Sequence, residues 1–492
     1  MIVRFKVKNF KNLQNVEIPF GPFTCIAGMN AVGKSNLFDA IRFLSALAGK
    51  DNTLVEAAFS IRDEKNKKRT IQDLRSLFFH DGENYASTIE FEVQMLIPKT
   101  GIDHLGQSCT ATTTALKYSL EIGYHENAIE RQQSALYIIR EDLVPMNKQV
   151  IKPLLKQLGG NKRWIDSVVV GTRRNSTPFI QTLPGENIVT VSQDQVQGGS
   201  KRRLRLDSLP RTVLSSANAV ETPTMLLVKL EMESWRLIQF EPSALRSSDE
   251  LVFTDLPQVS TNGEHLPAAL FRLINDKKIH YDVRAHLGLR LSELLDDVHD
   301  ITVEKDEKRD ILTLMVKGKN QVYLPSRSLS DGTLRFIALS LMEADPQVRG
   351  VICMEEPENG IHPARISAIL KLLQDIATDI GEPVDQENPL RQVIINTHSP
   401  IVVAEIPDSS LFFAEFNSKQ DRTVAFRPLS GTWQAKTFPN TRPIRKQDLV
   451  RYLSPVSVEP SLDNPTNGQP RKVKARPEVA KIFSQLSLFP EQ

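Results

Sequence analysis

Apolar and charged side chains alternate from the first residues, so Val3, Phe5 and Val7 share one face of an expected strand. Two more strands are expected over 16–20 and 23–27. Directly behind the third comes Gly28-Met29-Asn30-Ala31-Val32-Gly33-Lys34-Ser35. Leu37, Ala40, Ile41, Leu44 and Leu47 then recur at the spacing of one helix face. The order is strand, glycine loop, helix. Residues 51–85 are polar and read as loop with short helices, whereas alternation over 88–97 and 115–124 predicts a pair of strands.

Between 127 and 300 the pattern is mixed. Helical pieces are expected over 150–158, 266–275 and 287–295, among loops rich in Ser, Thr, Asn and Pro. No heptad pattern persists over three repeats, which argues against a long coiled-coil arm, and no internal repeat is visible. Regular alternation returns at 301–304, 311–316 and 322–324, the expected form of a three-stranded meander. It leads into Ser328-Leu329-Ser330-Asp331-Gly332-Thr333-Leu334-Arg335 and an apolar helix through Leu341. A short buried strand over 350–354 ends in Glu355-Glu356-Pro357-Glu358, and a helix follows with Ile366, Ile369, Leu370, Leu373 and Ile376 on one face. Another buried strand, 393–396, ends in Thr397-His398-Ser399-Pro400. After Leu453 the composition turns to Ser, Pro, Asn and Gly, as in a linker, before a last amphipathic piece over 479–489.

Composition changes this picture little. The 492 residues suffice for two or three domains. Lys and Arg number 61 against 59 Asp and Glu, so any surface for a polyanion has to be local. Cys25, Cys109 and Cys353 are far apart, which excludes a disulfide framework and a paired-cysteine zinc site. No run of about 18 apolar residues occurs, so a cytoplasmic protein without membrane spans is expected, with association with the nucleoid open.

The chemistry lies at the strand ends. Gly28-x-x-x-x-Gly33-Lys34-Ser35 matches the phosphate-binding loop in its required setting, after a strand and before a helix. Its amides and the helix N-terminus favour phosphate; Lys34 is suited to the β- and γ-phosphates and Ser35 to Mg²⁺. Glu355 and Glu356 end a buried strand, where two adjacent carboxylates need a cation or proton to offset them. Glu355 is suited to the Mg²⁺ shell and Glu356 to the attacking water. His398 ends another buried strand and can donate a hydrogen bond to the γ-phosphate.

In these stretches the sequence resembles the ABC-type ATPase heads of the SMC and RecF class. Within that class it is most similar to the prokaryotic ATPases related to the OLD (overcoming lysogenisation defect) proteins. GMNAVGKSN at 28–36 corresponds to Walker A and LSDGTLRFIALS at 329–340 to the signature. VICMEEPENGIHP at 351–363 corresponds to Walker B with its turn, and INTHSP at 395–400 to the switch histidine. The resemblance covers roughly 1–125 and 300–415. It implies an α/β P-loop NTPase of ABC-head type with a mixed parallel and antiparallel sheet. It implies two lobes, 1–126 and 301–453, split by an α+β insertion at 127–300 and followed by a tail at 454–492. It also implies that ATP is held by Gly28, Asn30, Gly33, Lys34, Ser35 and Asn36, with Lys11 near the nucleotide. Ser330 and Gly332 would act in trans, so that ATP joins two heads. Three departures stand out: Glu355 replaces the usual Asp, the turn after Walker B reads Glu358-Asn359-Gly360-Ile361-His362-Pro363, and the Q-loop glutamine has only Gln193, Gln195 and Gln197 as candidates.

A DNA transaction is the expected output: repair, recombination or defence against invading DNA. Basic clusters at Lys162-Arg163-Trp164, Arg173-Arg174, Lys201-Arg202-Arg203-Leu204-Arg205 and Arg471-Lys472-Val473-Lys474-Ala475-Arg476 either contact phosphates or form solvated faces. OLD proteins carry a TOPRIM nuclease, which needs an Asp-x-Asp; none occurs after His398, so a nuclease is expected only as a partner protein. An ATP-binding scaffold or sensor with little hydrolysis and a transporter ATPase are the competing readings. Gln485-Leu486-Ser487-Leu488-Phe489 matches the peptide by which bacterial proteins bind the replicative sliding clamp; alternatively Ile482, Phe483, Leu486 and Phe489 dock on the protein's own core.

Overall fold

The computed structural model describes all residues except 62–70, 127–133, 172–176, 195–200, 252–255, 280, 295–297, 319, 418–422, 439–440, 454–472 and 474–492. The clusters at 173–174 and 471–476 (Val473 apart), the candidates Gln195 and Gln197, and the peptide at 485–489 therefore lie outside the described residues.

Strand β1 (Ile2–Phe10) and strand β2 (Leu13–Pro19) form a hairpin at one edge of an eight-stranded antiparallel sheet. The sheet continues from β1 through Thr88–Leu96, Ala115–Tyr124 and Leu136–Pro145. It ends with the short strands Ile180–Thr182, Ile188–Val191 and Arg202–Arg205. The expected strand pair at 88–97 and 115–124 is present. Within the expected insertion at 127–300, the strands from 136 to 205 extend this same sheet, while Arg236–Ile238 and Asp249–Glu250 belong to other sheets. The last three strands of the antiparallel sheet have only three or four residues, too short for alternation to show in the sequence.

Strand β3 (Phe23–Gly28) lies inside a second sheet of six strands, ordered Arg236–Ile238, Gly350–Glu355, Arg391–Thr397, β3, Leu411–Phe416, Val424–Pro428. All neighbours are parallel except the last, antiparallel pair. Both faces of this sheet are covered, so its strands are apolar almost throughout. Ile26, Val351, Cys353 and Ile394 face one core, which they share with helix α1 (Lys34–Ala48) and the antiparallel sheet. Cys25, Ala27, Ile352, Met354, Val393 and Ile395 face the other, against helices Asp331–Ala344 and Ile366–Ile376. The architecture is α/β with mixed sheets, as expected.

The meander is Val298–Asp306, Ile311–Gly318 and Tyr323–Pro325, with Asp249–Glu250 as an added edge. Helices Leu266–Asn275 and Val283–Leu294 pack on it, close to the expected bounds. No helix among the described residues is long and apolar enough to cross a membrane.

Candidate nucleotide-binding site

The loop is held from below and from the side. Gly28 has φ 155°, and a Cβ there would stand 2.5 Å from the Ala414 carbonyl oxygen, so only glycine lets the strand end run this close to its neighbour. Gly33, with φ 114°, caps α1, and a Cβ there would collide with the Asn12 side chain. Asn12 comes from the β1–β2 turn. Its Nδ2 donates to the Val32 carbonyl at 2.8 Å, and its Oδ1 accepts from Asn36 Nδ2 at 2.8 Å. The neighbouring Lys11 pairs with Asp39 of α1 at 2.6 Å. The hairpin tip thus clamps both the loop and its helix.

Lys34 is buried and folds back into the loop. Its Nζ donates to the carbonyls of Gly28 (2.7 Å) and Met29 (2.9 Å). Burial pulls its pKa below the usual lysine value, while the carboxylates of Glu356, Glu358 and Glu355 act in the opposite sense.

Sheet register sets the acidic side. Glu355 stands beside Asn396, and Asn396 beside Ile26, so three adjacent strands end level with the loop. Ligands bind at this carboxyl edge of parallel sheets. Asn396, buried, donates from Nδ2 to Glu355 Oε1 at 3.2 Å, and its carbonyl accepts the Glu356 amide at 3.0 Å. Gln239, one residue past its strand, donates to Glu355 Oε2 at 3.4 Å. Glu356 then leaves the strand with φ 45°, a strained conformation for a residue with a side chain. The turn aims its carboxylate: Oε1 lies 2.7 Å from His398 Nδ1, and Oε2 accepts from Asn359 Nδ2 at 2.7 Å.

These groups share one open cavity of about 740 Å³, room enough for a nucleotide. Asn30, Gly33, Lys34, Ser35 and Asn36 line one side and Glu355 and Glu356 the other, with Gln239, Asn359 and Asn396 between. Arg335, within the signature stretch, also lines it, and its Nη1 donates to the Asn359 carbonyl at 2.6 Å. Gly28 begins the loop but is not part of the lining.

Other expected residues stand outside. Lys11 is engaged with Asp39 and does not line the cavity. His398 reaches it only through Glu356. Ser330 is exposed and caps its helix, its Oγ accepting from the Thr333 amide at 3.2 Å. Arg246 braces this loop, donating to the Leu329 carbonyl at 3.0 Å and pairing with Asp331 at 2.5 Å. Neither Ser330 nor Gly332 lines the cavity of its own chain.

Among the described residues, the glutamine at the cavity is Gln239, not Gln193. Gln193 follows the strand Ile188–Val191 in the antiparallel sheet, away from the lining. Gln239 was missed because its strand, Arg236–Ile238, has three residues; the usable signal was a polar amide directly after Leu237-Ile238. Asn12 and Asn396 were also missed, since nothing local distinguishes a clamping asparagine from a turn residue.

Two family descriptions match the chain: "AAA ATPase domain" over residues 1–157, and "AAA domain, putative AbiEii toxin, Type IV TA system" over 171–404. Both descriptions are of ATPase domains, and in its site motifs this ATPase head is similar to those of the SMC and RecF class. The head is 40% identical over 55 residues to the DNA replication and repair protein RecF of Bacteroides thetaiotaomicron, a match spanning 11% of this chain and 15% of that protein. It is 21% identical over 403 residues to an ATP/GTP phosphatase of Helicobacter pylori, covering 81% of this chain and 85% of that protein. Among solved structures, the SMC head domain from Thermotoga maritima aligns with TM-score 0.37 and 12% identity over 87% of this chain and 99% of that one. The Smc head from Pyrococcus furiosus, bound to the C-terminal domain of ScpA, aligns with TM-score 0.42 and 13% identity over 89% and 98%.

The donor set fits Mg²⁺ with a triphosphate. Ser35 and Glu355 offer hard oxygen donors in one cavity, and Mg²⁺ ordinarily takes only one or two protein ligands alongside phosphate and water.

Proposed function

We propose that this head binds ATP with Mg²⁺, closes on a second copy, hydrolyses the nucleotide and so controls a DNA transaction. The observation that carries this is the cavity itself: loop, Lys34, Ser35 and the two strand-end glutamates converge there, while Ser330 and Gly332 stay outside. Ser330 and Gly332 of a second copy are the groups suited to close it. Mg²⁺ supplies charge neutralisation at the phosphates. Lys34 exchanges its two carbonyl partners for phosphate oxygens, and Glu355 with Ser35 holds the ion. Glu356 orients the attacking water and accepts its proton, and His398 donates to the γ-phosphate. Gln239 joins the site as the residue that reads its loading through Glu355.

Hydrolysis by wild type and by Glu356→Gln, followed in single turnover with chromatography in ATP, tests this. Wild type should hydrolyse and the variant should accumulate an ATP-bound dimer. Equal hydrolysis by both would remove Glu356 as the base; ATP binding with no hydrolysis by wild type would select the scaffold reading.

The DNA reading is supported by the RecF relative and by basic side chains that are exposed here, Lys162 and Arg163 on one helix and Arg202 and Arg203 on the sheet-edge strand. The Glu358–Pro363 turn supports kinship with the OLD-related ATPases, and with it a nuclease partner in repair or defence. Gln485, Leu486, Leu488 and Phe489 form the proposed sliding-clamp peptide. A clamp pull-down that still succeeds after Phe489 is deleted would remove that assignment.

A further inference from the structure

Two buried polar atoms behind the phosphate loop lack hydrogen-bond partners: the hydroxyl of Tyr452 and Oε2 of Glu358. Glu358 uses its other oxygen, accepting from Thr397 Oγ1 at 2.5 Å, immediately before His398. Tyr452 arrives from the opposite direction, on the helix Lys446–Leu453. Leu449 and Leu453 bury that helix in the same core as Cys25, Ala27 and Phe413, and the Tyr452 ring stands edge-on to Phe413 with centroids 4.9 Å apart. Phe413 adjoins Ala414, the residue paired with Gly28 across the sheet. The tyrosine hydroxyl is thereby brought beneath Gly28: burial first, then Cys25 and the Glu358 carboxylate, push its pKa up, while the Gly28 amide, already directed at it, acts in the opposite sense.

Burying a hydroxyl and a carboxyl oxygen without partners destabilises the fold, and phenylalanine would fill the same space without that cost. Such atoms are explained if their partners belong to another state. The nucleotide supplies one: when Lys34 leaves the carbonyls of Gly28 and Met29 for phosphate, the loop around Gly28 loses two hydrogen bonds and is free to resettle. We propose that Tyr452 is a positioning residue of the nucleotide site, its hydroxyl accepting from the Gly28 amide and donating to Glu358 Oε2 in the ATP-loaded head. The bridge ties the start of the phosphate loop to the turn that follows Glu356. It also makes the helix Lys446–Leu453 a working part of the site. Val473, fully buried, extends the same contact, its amide donating at 3.1 Å to the Ile406 carbonyl at the end of the helix that follows His398.

This inference rests on ATP binding at the cavity, so the test separates the two. Thermal melting of full-length wild type and Tyr452→Phe is measured with and without Mg·ATP, together with steady-state hydrolysis. Wild type should be stabilised by ATP; no shift in wild type would overturn the nucleotide reading, and the bridge with it. Tyr452→Phe should melt at the wild-type temperature or above without nucleotide, show a smaller ATP-induced shift, and raise KM about fivefold with kcat changed less than twofold. A lowered melting temperature with an unchanged ATP shift would mean a purely structural tyrosine and overturn the proposal. Glu358→Gln offers a second approach, since it can still accept from Tyr452: its ATP shift should fall between those of wild type and Tyr452→Phe. A Glu358→Gln shift below that of Tyr452→Phe would also count against the bridge.

Discussion

Nδ1 of His398 lies 2.7 Å from Oε1 of Glu356, although 42 residues separate them and neither strand pattern alone places the two side chains together. The contact follows from two parallel strands ending level and from the left-handed turn at Glu356. In the proposed mechanism it ties the group that donates to the γ-phosphate to the base. Glu356→Gln is expected to lower hydrolysis about a hundredfold or more while ATP binding persists. His398→Ala should lower it less, because Asn359 still orients the carboxylate. Single-turnover hydrolysis measures both; a His398→Ala loss exceeding that of Glu356→Gln would contradict this order.

Composite sites make a sharper test. Lys34→Ala and Ser330→Arg should each be inactive alone. Mixed, they form one intact site in every heterodimer, joining the loop of one variant to the signature of the other. Recovered ATPase activity in the mixture is expected, and a mixture as inactive as its parts would argue that heads work singly.

The asparagine clamp can be removed without touching phosphate ligands. Asn12→Ala deletes the bonds to Val32 and Asn36 and leaves room at Gly33. KM for ATP should rise several-fold, with a loss of about 1 kcal/mol in stability per buried hydrogen bond. Titration with a fluorescent ATP analogue and a urea melt check the two parts.

Glu141 gives a pH dependence. It is wholly buried, accepts the amides of Val213 (2.7 Å) and Leu214 (2.9 Å) and the Tyr118 hydroxyl (3.1 Å), and has Asp142 beside it. Burial, partly opposed by those bonds, raises its pKa from 4.5 to about 7. Between these values the folded chain keeps a proton that the unfolded chain has lost, so this group makes stability fall as pH rises from 4.5 to about 7 and adds no slope above. Glu141→Gln should flatten that part of the stability profile. Melting temperatures at pH 5 and pH 8 decide it.

Arg391 secures the signature helix from the switch strand. Buried, it donates to the carbonyls of Val348 (2.7 Å), Met342 (3.2 Å), Glu343 (2.8 Å) and Asp345 (2.6 Å) around the helix C-terminus. Arg391→Met should cost on the order of 3 kcal/mol by leaving those carbonyls unpaired. Denaturant unfolding measures it, and a change below about 1 kcal/mol would show that water takes over the role.

By itself the sequence determined the parts whose chemistry is contiguous. Gly28 to Ser35 carries its own glycines, lysine and serine between a strand and a helix, and Glu355-Glu356 and His398 each end an apolar run long enough to read as buried. The meander and the flanking helices were legible for the same reason: their periodicity persists over several residues. Only the tertiary structure decided what depends on register between distant strands. Asn396 reaches Glu355, and Gln239 replaces Gln193 at the cavity, because parallel strands end level, a fact no local pattern contains. The three short strands between 180 and 205 join the β1 sheet for a related reason, since strands of three or four residues are selected by their neighbours rather than by their own alternation. Lys11 is the clearest case. The family resemblance places it near the nucleotide, but packing of the hairpin on α1 gives its charge to Asp39 rather than to the cavity.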